Sequence, residues 1–315
     1  MPELPEVETI RRGLVKFCVH EKIEEVQILC AKSFIGPKEV VEEHEVLGLR
    51  RYGKALIVDL SGGISMMVHL RMTGQLVWDN TSDKKVLQQE NLGVAFGAEN
   101  SGLISASVEK CTHAFAGGHP SDTFFDELPN KQTRVVIKMN DGTLYFNDQR
   151  KFGFIKVMPT AEVEQDKFIA SLAPEPWKCD AEKIYQVFQR KKNSPIKAVI
   201  LDQKVIAGIG NIYADEALFY AGIHPERKAG SLSLNEVKKL LEGACKSMDA
   251  SINAGGSTMA TYVRADGTKG DYLEKFAQVF RREGQPCYKC GVEIIKIRVA
   301  GRGTHICPNC QRLVA

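Results

Sequence analysis

The C-terminal tail carries the densest chemistry in the sequence. Cys287 and Cys290 form one C-x-x-C pair and Cys307 and Cys310 another, with sixteen residues between the pairs. Two such pairs, each closed by a tight turn, deliver four thiolates tetrahedrally, as a structural zinc ion with no open coordination position requires. So short a tail cannot build an adequate core alone, and metal binding would supply its folding energy. A redox dithiol is the rival reading, but thiol exchange needs only one pair. The intervening IIKIRVAGRGTH predicts a hairpin with Gly301-Arg302-Gly303 at its tip, which puts Arg302 on an exposed cationic turn. The other five cysteines (Cys18, Cys30, Cys111, Cys179 and Cys245) lack ligand spacing and read as small buried hydrophobes.

The opposite end begins Met-Pro-Glu-Leu-Pro-Glu. Trimming of Met1 would leave Pro2 as a free secondary amine. An α-amine titrates near about 8, so part of it is neutral and nucleophilic at neutral pH. The positive end of a following helix would lower that value further. Such an amine attacks an aldehyde-level carbon and forms an iminium. Glu3 and Glu6 stand beside it to donate or accept protons. Many chains begin Met-Pro, so the amine alone decides nothing.

The elements that must position these groups follow from periodicity. Pro5 suits a first helical turn, and Val7, Ile10, Leu14 and Phe17 recur on one face of an opening helix. Residues 23–78 change to short β-strands: VQIL, EVLGLRRYG, ALIVDL and SMMVHLRM. RVVIKM, a turn at Asn140-Asp141-Gly142, TLYFND and KFGFIKVM predict a second meander over 134–158. Between the two lies 79–132, acidic and without a clear period, read as an insertion with some structure of its own or a mobile excursion. After Pro159 the pattern turns helical, through IYQVFQRKK, IKAVILDQ, NIYADEALFYAG and NEVKKLLEGACKSMDASINAG. A Gly-containing loop over 255–272 then leads to the cysteine tail. The expected fold is α+β in two domains: an N-terminal β-sandwich with an N-terminal helix over 2–158, and a C-terminal part with a helical module over 159–280 and a zinc finger over 281–315.

At 315 residues, 43% hydrophobic and 26% charged, the chain has material for about two globular cores, which excludes wholesale disorder. No run approaches the roughly 18 apolar residues of a membrane span. The carboxylate-bearing N-terminus lacks a signal peptide's basic and apolar regions, which predicts a cytoplasmic protein. Charge is uneven. Residues 180–315 hold 21 Lys+Arg against 14 Asp+Glu, a net +7, while residues 1–179 hold 21 against 25, a net −4. Basic charge in the C-terminal half suits phosphate binding there.

PELPEVETIRRGL, YGK, HLRMTG, DQRKFG, GIGNIYADE, GGST and the cysteine tail occur in the order seen in bacterial formamidopyrimidine-DNA glycosylases. The chain resembles that family over nearly its whole length outside 79–132. Leu4 after Glu3 favours this branch over the endonuclease VIII type, which usually opens Pro-Glu-Gly-Pro. The resemblance implies a helix-two-turns-helix module, one structural zinc ion, and a bifunctional glycosylase/AP lyase that removes oxidised purines from damaged double-stranded DNA as a monomer. Pro2 resembles the nucleophile that attacks C1′ and leaves a Schiff base, after which β,δ-elimination nicks the strand. Glu3 resembles the acid that assists sugar-ring opening. Lys54 resembles the lysine that assists β-elimination. Arg302 resembles the finger arginine that grips phosphate beside the lesion.

A base inside a duplex hides its glycosidic carbon and must be flipped out. Met72, Arg150 and Phe152 match the family's void-filling side chains, an apolar wedge and a cation for the widowed base. His69, Lys192, Lys197 and Asn211 resemble its phosphate contacts. The loop over 255–272 resembles its mobile lesion-covering segment. One departure is Lys131-Gln132-Thr133, where the family commonly has a histidine-containing DNA contact. The insertion, with 4 basic and 8 acidic side chains, is expected to project away from DNA. Two alternatives stay open: an endonuclease VIII-like preference for oxidised pyrimidines, and a damaged-DNA-binding protein without catalysis.

Overall fold

The computed structural model describes residues 2–80, 115–118, 128–256 and 272–313. Helix α1 (Leu4–Cys18) forms where Pro5 pre-sets the first turn and the Glu6 carboxylate reaches back to accept the Glu3 N–H at 2.8 Å. Val7, Ile10 and Leu14, spaced three and four apart, are fully buried and seat the helix on the sandwich core.

Two five-stranded sheets make that sandwich. One runs β1 (Ile23–Ile28), β8 (Thr133–Met139), β9 (Gly142–Asp148), β6 (Gly74–Asn80) and β7 (Phe115–Gly118). The other runs β2 (Phe34–Ile35), β10 (Phe154–Pro159), β5 (Ile64–His69), β4 (Ala55–Leu60) and β3 (Val46–Tyr52). Alternating residues such as Leu56, Val58, Met66 and Val68 from one sheet meet Leu76, Ile137, Leu144 and Phe146 from the other in a single core.

The second meander expected from periodicity is not one. β8 and β9 pair as a hairpin, but β10 leaves that sheet and pairs with β5, Phe154 opposite His69. Lys151 sits between β9 and β10 with φ 57°, a left-handed residue that redirects the chain. A period of two marks a strand but not the sheet it joins. The crossing carries Asp148–Gly153 over the end of the sandwich. Within the expected insertion, Asn80 ends β6, and β7 adds an edge strand whose buried Phe115 meets Phe17 with ring centroids 6.3 Å apart. Residues 81–114 and 119–127 lie outside the described residues, and so does the direction in which they project.

The remaining chain is helical: α2 (Lys167–Ala170), α3 (Ala181–Arg190), α4 (Ile196–Ile200), α5 (Asn211–Ala221), α6 (Leu234–Asn253) and α7 (Tyr272–Lys275). The Asp180 carboxylate caps α3, accepting the Glu182 N–H at 3.0 Å. Ser233 and Glu236 form a capping box on α6, the Glu236 carboxylate accepting the Ser233 N–H at 2.8 Å. Residues Tyr213–Phe219 of α5 are all buried, so this helix is the centre of the second core rather than a surface element. Strands β11 (Ile295–Val299) and β12 (Arg302–Ile306) form the tail hairpin. Arg51 ties the halves together, donating to Glu8 of α1 at 3.1 Å and to Glu175, before α3, at 2.5 Å. Among the described residues, no helix is long and apolar enough to cross a membrane.

Candidate active site and nucleic-acid cleft

The site begins with α5. Its first turn points unpaired N–H groups at the start of the chain, and the Glu3 carboxylate accepts those of Ile212 at 3.0 Å and Tyr213 at 3.5 Å. Gly210 is required there, because a Cβ on it would run into the Glu3 carboxylate. Glu3 is almost wholly buried, and this burial pushes its carboxyl up to about 7, a rise that the Lys54 ammonium partly offsets. Glu3 is therefore poised between acid and base at neutral pH. Behind it, Glu6 accepts a hydrogen bond from the Tyr213 hydroxyl at 2.7 Å, with Ser251 Oγ 2.6 Å from the same hydroxyl.

Lys54 projects from the turn between β3 and β4 and donates to the Ile209 carbonyl at 2.9 Å. Burial lowers its pKa, against the opposing pull of the Glu3 and Glu6 carboxylates. Pro2, Glu3, Lys54 and Arg302 line one cleft of about 580 Å³, with His69, Met72 and Asn211. His69 is nearly buried between Phe154 and Phe168, and burial, followed by the Arg71 and Lys54 charges, pulls its imidazole down to about 3. Its Nδ1 accepts the Arg71 N–H at 3.1 Å, so the neutral ring keeps its proton on Nε2. A neutral N–H donor suits a phosphate oxygen without adding charge.

Met72, Arg150 and Phe152 stand on two neighbouring turns. Met72 is 40% and Phe152 56% exposed, unusual for apolar side chains this large, and the Arg150 guanidinium lies 5.0 Å from the Phe152 ring. Asp148 holds the arrangement from beneath. Fully buried, it accepts the N–H groups of Arg150 at 3.1 Å, Phe152 at 2.8 Å and Gly153 at 2.7 Å, and the Thr73 hydroxyl. Arg71 and Lys151, each preceding an exposed apolar residue, are both left-handed, at φ 52° and 57°. Sequence reasoning singled out Met72, Arg150 and Phe152 and missed the carboxylate that holds their turns. Lys131, Gln132 and Thr133 lie outside the cleft. The Gln132 carbonyl accepts the Asp148 N–H and the Lys131 carbonyl the Arg134 guanidinium, while the Gln132 and Thr133 N–H groups are bound by Asn130.

Two adjacent acids on α5 attach the tail. Asp215 accepts the His305 N–H at 2.9 Å, and Glu216 accepts those of Gln278, Val279 and Phe280 at 2.8, 3.0 and 2.9 Å. Lys197, expected as a phosphate ligand, has no exposure. Its Nζ is bound to Asp215 at 2.6 Å and Thr304 Oγ1 at 2.7 Å, so it is a strut between α4, α5 and the finger. An ammonium with two such partners in the interior is not presented to a backbone phosphate. Asn211 sits at the cleft and donates from Nδ2 to the Gly303 carbonyl at 3.0 Å, which steadies the hairpin tip bearing Arg302. Lys192 is exposed but lies away from the cleft lining.

Cys287, Cys290, Cys307 and Cys310 place all four sulfurs within 4.8 Å of one another. A tetrahedral Zn–S₄ centre with bonds of about 2.3 Å needs S···S separations of roughly 3.8 Å. The pairs at 3.4, 3.5 and 3.9 Å bracket that value, and the set fits one structural zinc ion with no open position. Residues 257–271, which include most of the expected lesion-covering loop, lie outside the described residues.

Comparison with known proteins agrees with this arrangement part by part. Residues 1–155 match the formamidopyrimidine-DNA glycosylase N-terminal domain, residues 172–263 its H2TH domain, and residues 284–313 the zinc finger found in FPG and IleRS. The formamidopyrimidine-DNA glycosylase of Desulfitobacterium hafniense is 37% identical, with 99% of this chain and all of the relative covered. That of Pelotomaculum thermopropionicum is 35% identical over the same shares. The wild-type Lactococcus lactis Fpg, solved in complex with a N7-benzyl-Fapy-dG containing DNA, superposes with a TM-score of 0.78 at 29% identity, covering 99% of this chain and 100% of that one. The chain belongs to the formamidopyrimidine-DNA glycosylase family, the DNA glycosylase/AP lyases of base excision repair.

Proposed function

We propose that this chain excises oxidised purines, 8-oxoguanine and formamidopyrimidines, from duplex DNA through a Schiff base on Pro2 and then nicks the strand by β,δ-elimination. The supporting observation is that Pro2, Glu3, Lys54 and Arg302, from opposite ends of the sequence, line one cleft. The Pro2 nitrogen attacks C1′ and the bond to the base breaks. Glu3, with its pKa near 7, supplies the proton that lets the sugar-ring oxygen leave C1′ as the iminium forms. The iminium draws electrons from C2′, which loses a proton as the 3′ phosphate departs. Lys54, with its pKa lowered, assists that transfer, and loss of the 5′ phosphate completes the cut. Arg302 and the Nε2 proton of His69 hold the flanking phosphates. Met72 and Phe152 fill the space of the flipped nucleotide, and Arg150 faces the widowed base. Asn211 and Lys192 complete the backbone contacts. The zinc ion keeps the finger folded and takes no part in the chemistry. The protein acts as a monomer in the cytoplasm.

Borohydride trapping on an 8-oxoguanine duplex tests this reading. An adduct located on Pro2 by peptide mass spectrometry, and abolished by blocking the N-terminus, is the expected result. Faster release of thymine glycol would transfer the chain to the endonuclease VIII-like preference. No adduct across several oxidised lesions, with Met1 trimmed and zinc bound, would leave a binding protein without catalysis.

A further inference from the structure

We propose that Arg281 is an additional phosphate-gripping residue, holding a DNA backbone position distinct from that of Arg302. The proposal rests on the reading of the main cleft as a DNA site. A second cleft of about 440 Å³ opens beside the first, and Asn211, Phe280 and Arg281 border both. A strand leaving the lesion therefore has a continuous path from one cleft into the other along the base of the finger.

The neighbouring arginines Arg281 and Arg282 have opposite environments. Arg282 is buried and fully committed, donating to the carbonyls of Gln278 at 2.6 Å and Pro286 at 2.7 Å and to Gln285 at 3.2 Å. Arg281 is exposed and makes no hydrogen bond, ion pair or ring contact among the described residues. The other cation of the second cleft, Lys296, is matched by Glu283 at 3.2 Å, and His305 Nε2 also faces that carboxylate at 3.6 Å. Among the described residues, Arg281 is thus the cation there with no carboxylate against it, in a cleft that borders the catalytic one.

Its backbone also departs from ease. Arg281 has φ 60°, a conformation that glycine adopts freely and an arginine adopts at a cost. Nothing local requires a side chain there, and a glycine would serve the turn better. The three preceding residues are fixed through their N–H groups by the buried Glu216, which gives the arginine a rigid base. A strained, anchored and unpartnered cation at the junction of two clefts is what an anion contact from the backbone of DNA requires.

The test measures binding of a duplex with an abasic-site analogue between about 50 and 200 mM salt. Each phosphate contact contributes roughly 0.9 to the slope of log K against log salt. Arg281→Ala should lower that slope by about one contact and weaken binding several-fold, while Arg281→Lys keeps the slope. Arg281→Gly should lose the same slope yet melt above Arg281→Ala, because the left-handed backbone is relieved. A series of duplexes with single methylphosphonates should locate one phosphate whose neutralisation no longer matters to Arg281→Ala, different from the one lost to Arg302→Ala. Unchanged slope in Arg281→Ala, with wild type binding and nicking normally, overturns the proposal. Failure of wild type to bind any duplex would instead remove the reading beneath it.

Discussion

The Glu3 carboxylate accepts the Ile212 N–H at 3.0 Å, so the third residue of the chain is seated on the first turn of a helix two hundred residues later. Burial raises the pKa of that carboxyl, and the Lys54 ammonium and then this bond offset part of the rise.

The folded pKa of Glu3, about 7, lies above its ordinary value of 4.5. Ionisation is therefore disfavoured in the native state, and the stability present at low pH is lost as pH rises through 7. The shift corresponds to roughly 3 kcal/mol at most. Glu3→Gln should gain in Tm relative to wild type between pH 5 and 8, and lose the borohydride-trapped adduct by orders of magnitude. In wild type, single-turnover formation of that adduct should decline as pH rises past 7. A flat Tm difference across that range would contradict the burial argument.

Asp148 and Phe152 separate aim from wedge. Phe152→Ala should leave Tm nearly unchanged and slow excision from duplex about ten-fold, with cleavage of a preformed abasic site less affected. Asp148→Ala should do both: it frees three N–H groups, that of Gly153 buried, lowers Tm by several degrees and slows excision as strongly. Thermal melts beside single-turnover assays distinguish the two.

Lys197 and Asp215 form a fully buried ion pair at 2.6 Å. Lys197→Met strands the Asp215 carboxylate and should cost about 3–5 kcal/mol, while the double change with Asp215→Asn should recover much of it. Loss of DNA affinity in the single variant that the double variant restores identifies a strut. A persistent loss in both, at full stability, would restore the direct phosphate contact.

Zinc should be present at one ion per chain, and a chelator should abolish DNA binding before the sandwich melts. Elemental analysis and circular dichroism on one sample check both parts.

Local order was legible in the sequence. The strands, the helices after Pro159 and the cysteine cluster depend on short-range spacing, and the cysteines needed only their two pairs. What stayed hidden was long-range. Lys197 in RKKNSPIK reads as one more surface cation, since the carboxylate that buries it is eighteen residues away on another helix. Asp215 and Glu216 look like the wet side of a helix until α5 proves buried on every side. KFGFIKVM has a strand's alternation, yet no alternation names its sheet. Arg281 gave no signal at all, because a left-handed φ is invisible in an arginine codon.

Segments about three hundred residues apart are seated on α5, which makes that helix the hub of the cleft. The cleft around Pro2 requires Ile212, and Arg302 is held there only once His305 has reached Asp215. Removing the finger would therefore leave Pro2, Glu3 and Lys54 in place and withdraw Arg302 from beside them.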